Sequence, residues 1–140
     1  MLPDDWGQGW PNVWLGCTAE KQVEADRRIP HLLAVPAVVR FLSVEPMLEP
    51  VRPALDGIGW VIVGGESGHG ARPMPQAWAA DLLCLCAAAG VPAFFKQTGS
   101  NRYPGDWPNG ITGKGDNPAQ WPEAARVQQF PKATEPHHAA

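Results

Sequence analysis

The chain has 140 residues, of which 44% are hydrophobic and 18% charged, and its formal net charge is −3 at pH 7. This composition predicts one folded domain with a modest core and argues against disorder. It also gives no electrostatic footprint for nonspecific nucleic-acid binding. No apolar run approaches the roughly 20 residues that span a membrane, and no signal peptide is visible, so we expect a cytoplasmic protein.

In chain order, the sequence predicts an irregular N-terminal segment over residues 1–11 and an α/β domain over residues 12–100. A helix is expected from about residue 20 to residue 33, with Thr18 as its cap and Pro30 ending or kinking it near residues 28–29. The clearest helix covers residues 75–89, and Gly90 follows it as a C-cap. Apolar runs between these segments predict four strands, at residues 13–18, 39–44, 60–63 and 91–96.

The alternation of strands and helices predicts a parallel sheet with right-handed crossovers. Residues 47–59 contain Pro50, Pro53 and Gly57, so they predict a loop with at most one short helix. Four strands are half of an eight-stranded barrel and too few to close alone. The expected fold class is therefore α/β, a partial (half) TIM-like barrel of four parallel strands with alternating helices.

The C-terminal part of the chain predicts little regular structure. Residues 101–131 are rich in proline, glycine and tryptophan and are expected to form an irregular extension. Its Trp107 and Trp121 are expected to cover the core rather than stack on nucleic-acid bases, as are Trp6 and Trp10 near the start of the chain. Residues 132–140 are expected to be a disordered tail, whose paired histidines are not metal ligands.

Polar residues follow each of the four apolar runs. Because sites in parallel α/β folds form where the strands end, these side chains are expected to converge on one rim. The sequence therefore predicts a ligand-binding rim, with no catalytic residue assigned, formed by Glu20, Ser43, Glu45, Gly64, Gly65, Glu66, Ser67, Arg72, Lys96 and Gln97.

The glycine-rich segment from residue 63 to residue 73 is the most distinctive part of that rim. Its glycines predict close approach to a ligand or backbone with positive φ. Glu66 and Arg72 have two interpretations. Either they anchor the amine and the acidic group of a ligand, or their ion pair only holds the loop in shape. Neither a dinucleotide-binding fingerprint nor a P-loop is present.

Charged residues at the other strand ends also leave two interpretations open. Ser43 and Glu45 alternate with Val44, so they point to the same face, which is the lumen in a barrel. Lys96 is the expected partner of Glu45 or Glu66, either as a structural pair or as part of a polar ligand pocket. Glu20 and Arg27 could share a helix face, equally well as a surface pair or as part of the rim.

Cysteine and histidine usage gives no metal or disulfide signal. The three cysteines are Cys17, Cys84 and Cys86, and the last two point about 200° apart on one helix. Both are expected to pack as small apolar groups. His69 in the glycine-rich loop is expected to face solvent rather than act as an acid or base. We therefore expect no metal site on this chain.

Several consecutive motifs between residues 10 and 100 give this chain a family resemblance. They include Asn12-Val-Trp-Leu-Gly16, Arg27-Arg-Ile-Pro30, Arg40-Phe-Leu-Ser43, Trp60-Val-Ile-Val-Gly-Gly-Glu-Ser-Gly68 and Phe94-Phe-Lys-Gln97. In this order they resemble the phage-associated family of unknown function that is named for phage gene products 37 and 68.

That resemblance implies a radical-SAM-like barrel. Full-length relatives carry a cysteine motif for an iron–sulfur cluster in their N-terminal half, and this sequence resembles only the C-terminal half. The resemblance thus implies no cofactor on this chain, with SAM and a [4Fe-4S] cluster only in a full-length relative or a complex. Gly64-Gly65-Glu66 is similar to the motif that binds the SAM amino group, but on a late strand rather than an early one, so its role stays open.

Three functional hypotheses follow. The first is the C-terminal half of a phage or prophage radical-SAM-like barrel protein, which forms a substrate- or SAM-facing rim and is inactive alone. The second is a non-enzymatic binding module, whose partner is an N-terminal half-barrel chain or a second copy in a homodimer. The third is an enzyme that needs no cluster, with Glu45 or Glu66 as general base beside Lys96.

Overall fold

The computed structural model describes residues 1–132, which form a mixed α/β fold of four parallel strands and two α-helices. The strands are β1 (Leu15–Thr18), β2 (Arg40–Val44), β3 (Trp60–Gly64) and β4 (Ala93–Gln97). They lie side by side in chain order, and each neighbouring pair is parallel. The predicted strands are thus confirmed, with ends that differ by one or two residues. The tail predicted to be disordered lies outside the described residues except for Lys132.

The helices are α1 (Gln22–Leu33) and α2 (Gln76–Ala89). Of the two predicted effects of Pro30, the one in which it ends α1 near residues 28–29 is wrong, because α1 continues for three residues beyond it. Because proline has no backbone N–H, the carbonyl of Asp26 loses its helical hydrogen bond. Both residues lie on the exposed side of α1, where water can reach that carbonyl. Ile29 and Leu32 are buried on the opposite side and hold the last turn against the core.

The N-terminus of α1 and the C-terminus of α2 are capped in different ways. The predicted Thr18 cap of α1 is wrong, because the N-cap residue is Lys21 and its side chain makes no capping bond. Instead Glu49, from the loop after β2, accepts a 2.8 Å hydrogen bond from the Gln22 amide. The predicted cap of α2 is confirmed: Gly90 has a φ of 68° and donates to carbonyls of the last helical turn.

The two faces of the sheet have different environments. One face, the covered face, packs against both helices and carries the fully buried side chains Leu42, Val44, Val61, Val63 and Phe95. Trp107 and Trp121 complete this core, with ring centroids 5.8 and 4.8 Å from that of Phe95. Neither helix packs on the other side of the sheet, the open face.

Side chains on the open face form successive layers, because residues two apart in a strand point the same way. Phe41 and Trp60 form an aromatic layer with Trp14, which lies just before β1, and the ring pairs are 5.8 and 5.9 Å apart. Ser43, Ile62 and Phe94 form the next layer toward the strand ends. Glu45 and Lys96 follow at the carboxyl end. Polarity on this face therefore rises toward the rim.

The segments outside the sheet are tied to it by specific bonds. Trp6 is buried, and its indole N–H donates to the Pro36 carbonyl at 2.8 Å. Residues 98–132 contain two short 3-10 turns, Pro118–Gln120 and Glu123–Ala125. Arg102 holds this extension to the end of β4, because its guanidinium donates to the carbonyls of Gly99 and Ile111. No helix within residues 1–132 is both long and apolar enough to cross a bilayer.

Candidate functional site

The carboxyl ends of the four strands meet at one rim, as the sequence predicted. Backbone hydrogen bonds join successive strand ends there, from Ala19 to Ser43, from Met47 to Gly64 and from Gly65 to Gln97. Two adjoining clefts open on this rim, with volumes of about 250 and 360 Å³. Pro46 and Glu66 line both clefts and form the ridge between them.

An ion pair crosses the first cleft above the third strand. Lys96 Nζ lies 3.0 and 3.2 Å from the two carboxylate oxygens of Glu45, so of the two predicted partners Lys96 takes Glu45. Glu45 belongs to the end of β2 and Lys96 to β4, and Gly64 of β3 lies between them. A Cβ at Gly64 would be only 3.3 Å from Glu45 Cγ. Glycine at this position thus lets the carboxylate lie over β3 and reach the lysine.

The predicted pair of Glu66 and Arg72 is present at the ridge between the clefts. Arg72 donates to the Glu66 carboxylate from Nε at 2.8 Å, from Nη2 at 2.7 Å and from its backbone amide at 2.7 Å. These bonds to Arg72 lower the pKa of Glu66 to about 2. Glu66 also raises the pKa of Arg72. Both Glu66 oxygens are therefore engaged, which favours the interpretation that this pair shapes the loop.

The glycines of this segment serve two different purposes. Gly68 and Gly70 have φ values of 97° and 72°, where other residues are strained, and neither is crowded. Gly65 instead allows close packing, because a Cβ there would overlap the Thr98 carbonyl. The approach that Gly65 permits is thus to the protein's own backbone rather than to a ligand.

Ser100 anchors the loop that carries Ser67. Its amide donates to the Glu66 carbonyl at 2.8 Å, and its hydroxyl accepts from the Gly68 amide at 2.9 Å. Both neighbours of Ser67 are therefore held, and the exposed Ser67 lines the first cleft beside Lys96. Sequence reasoning missed Ser100, since it lies in an irregular segment beyond β4 where no periodic pattern marks it.

The second cleft contains the Glu20 part of the predicted rim. The predicted pairing of Glu20 with Arg27 is wrong: Glu20 pairs with Arg28 at 3.4 Å, and Arg27 pairs with Glu24 at 2.7 Å. Arg28 lies over β1, because its Nη1 also donates to the Thr18 carbonyl at 2.8 Å and to the Thr18 hydroxyl at 2.9 Å. Contact with the strand end turns Arg28, not Arg27, toward Glu20.

The remaining predicted rim residues differ in their surroundings. Gln97 is buried at the base of the first cleft and donates from its side chain to the Gly65 carbonyl at 2.8 Å, so it also braces the end of β3. Ser43 is half-buried on the open face, two residues below Glu45 in β2, and neither cleft is lined by it. The residues that the structure brings together at the clefts are therefore Glu20, Glu45, Gly65, Glu66, Ser67, Arg72, Lys96 and Gln97.

The cysteines do not converge on this rim. Cys17 lies on the covered side of β1, where burial raises the pKa of its thiol, and Cys86 is buried in the core with a pKa raised to about 11. Cys84 is exposed on α2, so the prediction that it packs like Cys86 is wrong. Across residues 1–132, no three Cys, His, Asp or Glu side chains are grouped so that they could hold a metal ion. These thiols do not fit an iron–sulfur cluster. His69 is exposed, as predicted.

Fold and rim together define a parallel α/β protein with several separate ion pairs at its rim and an aromatic open face. Residues 1–130 match the family described as a protein of unknown function, DUF5131. Because the match covers nearly the whole chain, the protein belongs to that family. Among curated proteins and among solved structures, nothing matches the chain.

Proposed function

We propose that the chain forms the C-terminal half of a barrel-type protein and supplies a ligand-facing rim of that barrel. The observation that carries this proposal is the asymmetry of the sheet. All four strands are parallel, both helices pack on the covered face, and the open face becomes polar only at the carboxyl ends. In a closed or partly closed barrel the helix-free face is the interior, and ligands bind where the strands end.

The two edges of the sheet support growth on one side only. At β4, residues 127–129 near the end of the extension pair with the strand. The Phe95 amide donates to the Val127 carbonyl at 2.7 Å, and the Gln129 amide donates to the Ala93 carbonyl at 2.8 Å. At β1, no strand among residues 1–132 pairs with the outer edge. Further barrel strands would therefore join at β1.

The resemblance to radical-SAM-like phage proteins supplies the finer proposal. In that view the SAM and the [4Fe-4S] cluster belong to a full-length relative or to a complex, and this chain contributes the substrate-facing wall. In this proposal Glu66 has a structural role rather than binding the amine of a ligand, because Arg72 already bonds to both of its carboxylate oxygens. The isolated chain would then be inactive in cluster chemistry.

Co-purification tests this proposal. The tagged chain is co-expressed with the polypeptide encoded directly upstream of it, and we expect a stable 1:1 complex in which acrylamide quenches Trp14 and Trp60 less than in the free chain. Iron and sulfide reconstitution should load a cluster on the complex and not on the isolated chain. A stoichiometric cluster on the isolated chain, or an upstream polypeptide that does not bind, would overturn the proposal.

The second candidate is a non-enzymatic binding module that assembles as a half-barrel homodimer. The exposed aromatic side chains Trp14 and Phe130 favour it, because both belong to the aromatic cluster on the open face. Ligand binding without turnover by the isolated chain would support this candidate over the first one.

A further inference from the structure

We propose that the first cleft binds a neutral amide edge, in which an N–H donor lies next to a carbonyl acceptor. Nucleobases and carboxamides both present such an edge. This ligand class rests on the proposed function, because that function makes the carboxyl end of the sheet the ligand-facing rim. It adds the chemistry of the group that the cleft accepts.

Gln97 at the base of the first cleft has an amide oxygen without a hydrogen-bond partner. The residue is only 3% exposed, and its Nε2 donates to the Gly65 carbonyl at 2.8 Å. Its Oε1 accepts no bond within residues 1–132, where no fully buried polar side-chain atom lacks a partner. Solvent therefore reaches Oε1, and the cleft that Gln97 lines gives it access. A nearly buried acceptor of this kind favours a ligand with an N–H or O–H donor.

Glu45 provides further acceptors close to Gln97. The Glu45 carboxylate carbon and Gln97 Cγ lie 3.4 and 3.5 Å from the place where a Gly64 Cβ would be. Because Gly64 has no side chain, both groups border the same small space above β3. Lys96 bonds to both carboxylate oxygens, and each oxygen keeps a second lone pair. The base of the cleft thus suits the donor side of a ligand.

Lys96 and Ser67 supply the donors of the cleft. Lys96 has three N–H groups and meets two Glu45 oxygens, so one N–H is left for a ligand. The Ser67 hydroxyl is exposed beside it and makes no hydrogen bond within the described part of the chain. A ligand carbonyl can accept from either group while the neighbouring ligand N–H donates to the base of the cleft.

The charges around the cleft favour a neutral ligand. Glu45 is paired with Lys96, and Glu66 is paired with Arg72 at the ridge. A cationic ligand would compete with Lys96 for Glu45, and an anionic ligand would face both carboxylates. The Pro46 ring, which also lines the cleft, offers a flat apolar surface to a planar group. A volume of about 250 Å³ suits a small head group of this kind.

Methylated probes test the donor requirement on the native chain. Uridine has an imide N–H between two carbonyls, and 3-methyluridine blocks only that N–H. In proton–nitrogen NMR titrations of the full chain, uridine should shift the signals of Gly65, Ser67 and the Gln97 side chain until they saturate. Because Gln97 Oε1 would be left unpaired, 3-methyluridine should bind at least about tenfold more weakly.

Nicotinamide separates the two sources of an amide edge. Its blocked counterpart is N,N-dimethylnicotinamide, which keeps the carbonyl and the ring but lacks the N–H donors. Saturable binding of nicotinamide but not of uridine would assign the cleft to a carboxamide, and the reverse would assign it to a nucleobase. Either result supports the proposal, and binding of neither probe overturns it.

Two matched glutamine variants test whether Gln97 makes the contact. Gln97→Met removes the amide at the base of the cleft and should weaken binding of the amide probe at least about tenfold. Gln128→Met removes a comparable amide, which donates to the Phe95 carbonyl at 3.3 Å and lines neither cleft, so it should leave the affinity unchanged. Circular dichroism checks that both variants are folded, and the methylated probes give the same test without any substitution.

Several outcomes contradict the proposal. Equal affinities for uridine and 3-methyluridine would do so, as would a folded Gln97→Met chain that binds as tightly as the native one. Saturation by glucose, methylammonium or phosphate, where neither amide probe binds, would assign the cleft to another ligand class. An upstream polypeptide that does not bind would overturn the half-barrel and leave these titrations unaffected. Loss of probe binding in an intact complex would remove only the ligand class.

Discussion

The covered and open faces of the sheet use similar residue types for different purposes. On the covered face, Phe95 is fully buried between Trp107 and Trp121. One residue earlier, Phe94 lies half-buried on the open face against Trp60 and Phe130. The first aromatic cluster is buried by residues of the described chain, and the second remains partly exposed to solvent. The contrast separates the part of the molecule that holds the fold from the part that stays accessible.

The adjacent phenylalanines test this contrast most directly. Phe95→Ala should lower the free energy of unfolding by about 3–5 kcal/mol, because it leaves a cavity among buried rings. Phe94→Ala should lower it by less, about 2 kcal/mol, since Phe94 is only partly buried and loses two edge-on ring contacts. Urea denaturation followed by tryptophan fluorescence measures both. Equal losses would mean that the open face is as much a part of the core as the covered face.

The two neighbouring glycines at the end of β3 extend the comparison to the backbone. Gly65→Ala should lower the free energy of unfolding by about 1–3 kcal/mol, because its Cβ meets the fixed Thr98 carbonyl. Gly64→Ala should change it by less than about 1 kcal/mol, because the Glu45 side chain above it can move. Thermal unfolding of the two variants side by side provides the measurement, and the reverse order would contradict the assignment.

The reaction rates of the three cysteines report how accessible the covered face is compared with the protein surface. A thiol reagent in excess at pH 8 should modify Cys84 first, because it is exposed, and Cys17 more slowly. Cys86 should react about a hundredfold more slowly than Cys84, since burial raises its pKa to about 11 and few thiolates form. Mass spectrometry of timed samples identifies each site. Early modification of Cys86 in the folded chain would mean that the covered face opens readily.

The rim should show its own pH dependence, the smallest of these effects. Arg72 lowers the pKa of Glu66 to about 2 from a usual value of 4.5. The stability that this pair contributes is thus fully present above about pH 4.5 and is lost as pH falls toward 2. Carboxyl NMR titration should find the low pKa in the native chain and a pKa near the usual value in Arg72→Gln. The melting temperature of Glu66→Gln should fall less between pH 4.5 and 2.5 than that of the native chain.

Sequence patterns predicted the regular part of this structure because they are local. Apolar runs gave the four strands, and Gly90 gave the end of α2. Alternation also put Glu45 and Lys96 on one face. The same alternation would send Gln97 to the opposite face from Lys96, but Gln97 is buried at the base of the first cleft, where it bonds to Gly65.

The parts that were not predicted depend on residues distant in the chain. Glu49 caps α1 from the next loop, Arg28 bonds to a strand end ten residues earlier, and Ser100 holds the loop of Ser67. Pro30 stays within α1 because the side that loses a hydrogen bond faces water while Ile29 and Leu32 face the core. Each of these features depends on contacts between distant parts of the chain. A short stretch of sequence does not contain both partners of such a contact.

The ion pair of Glu45 and Lys96 joins two strands that share no backbone hydrogen bonds, since β3 lies between them. Its length therefore depends on the curvature of the sheet: flattening moves β2 and β4 apart on the open face, and rolling brings them together. Closing the sheet further would shorten this pair, and breaking the pair would remove one restraint on the curvature of the sheet. The curvature of the sheet is therefore coupled to one salt bridge above a glycine.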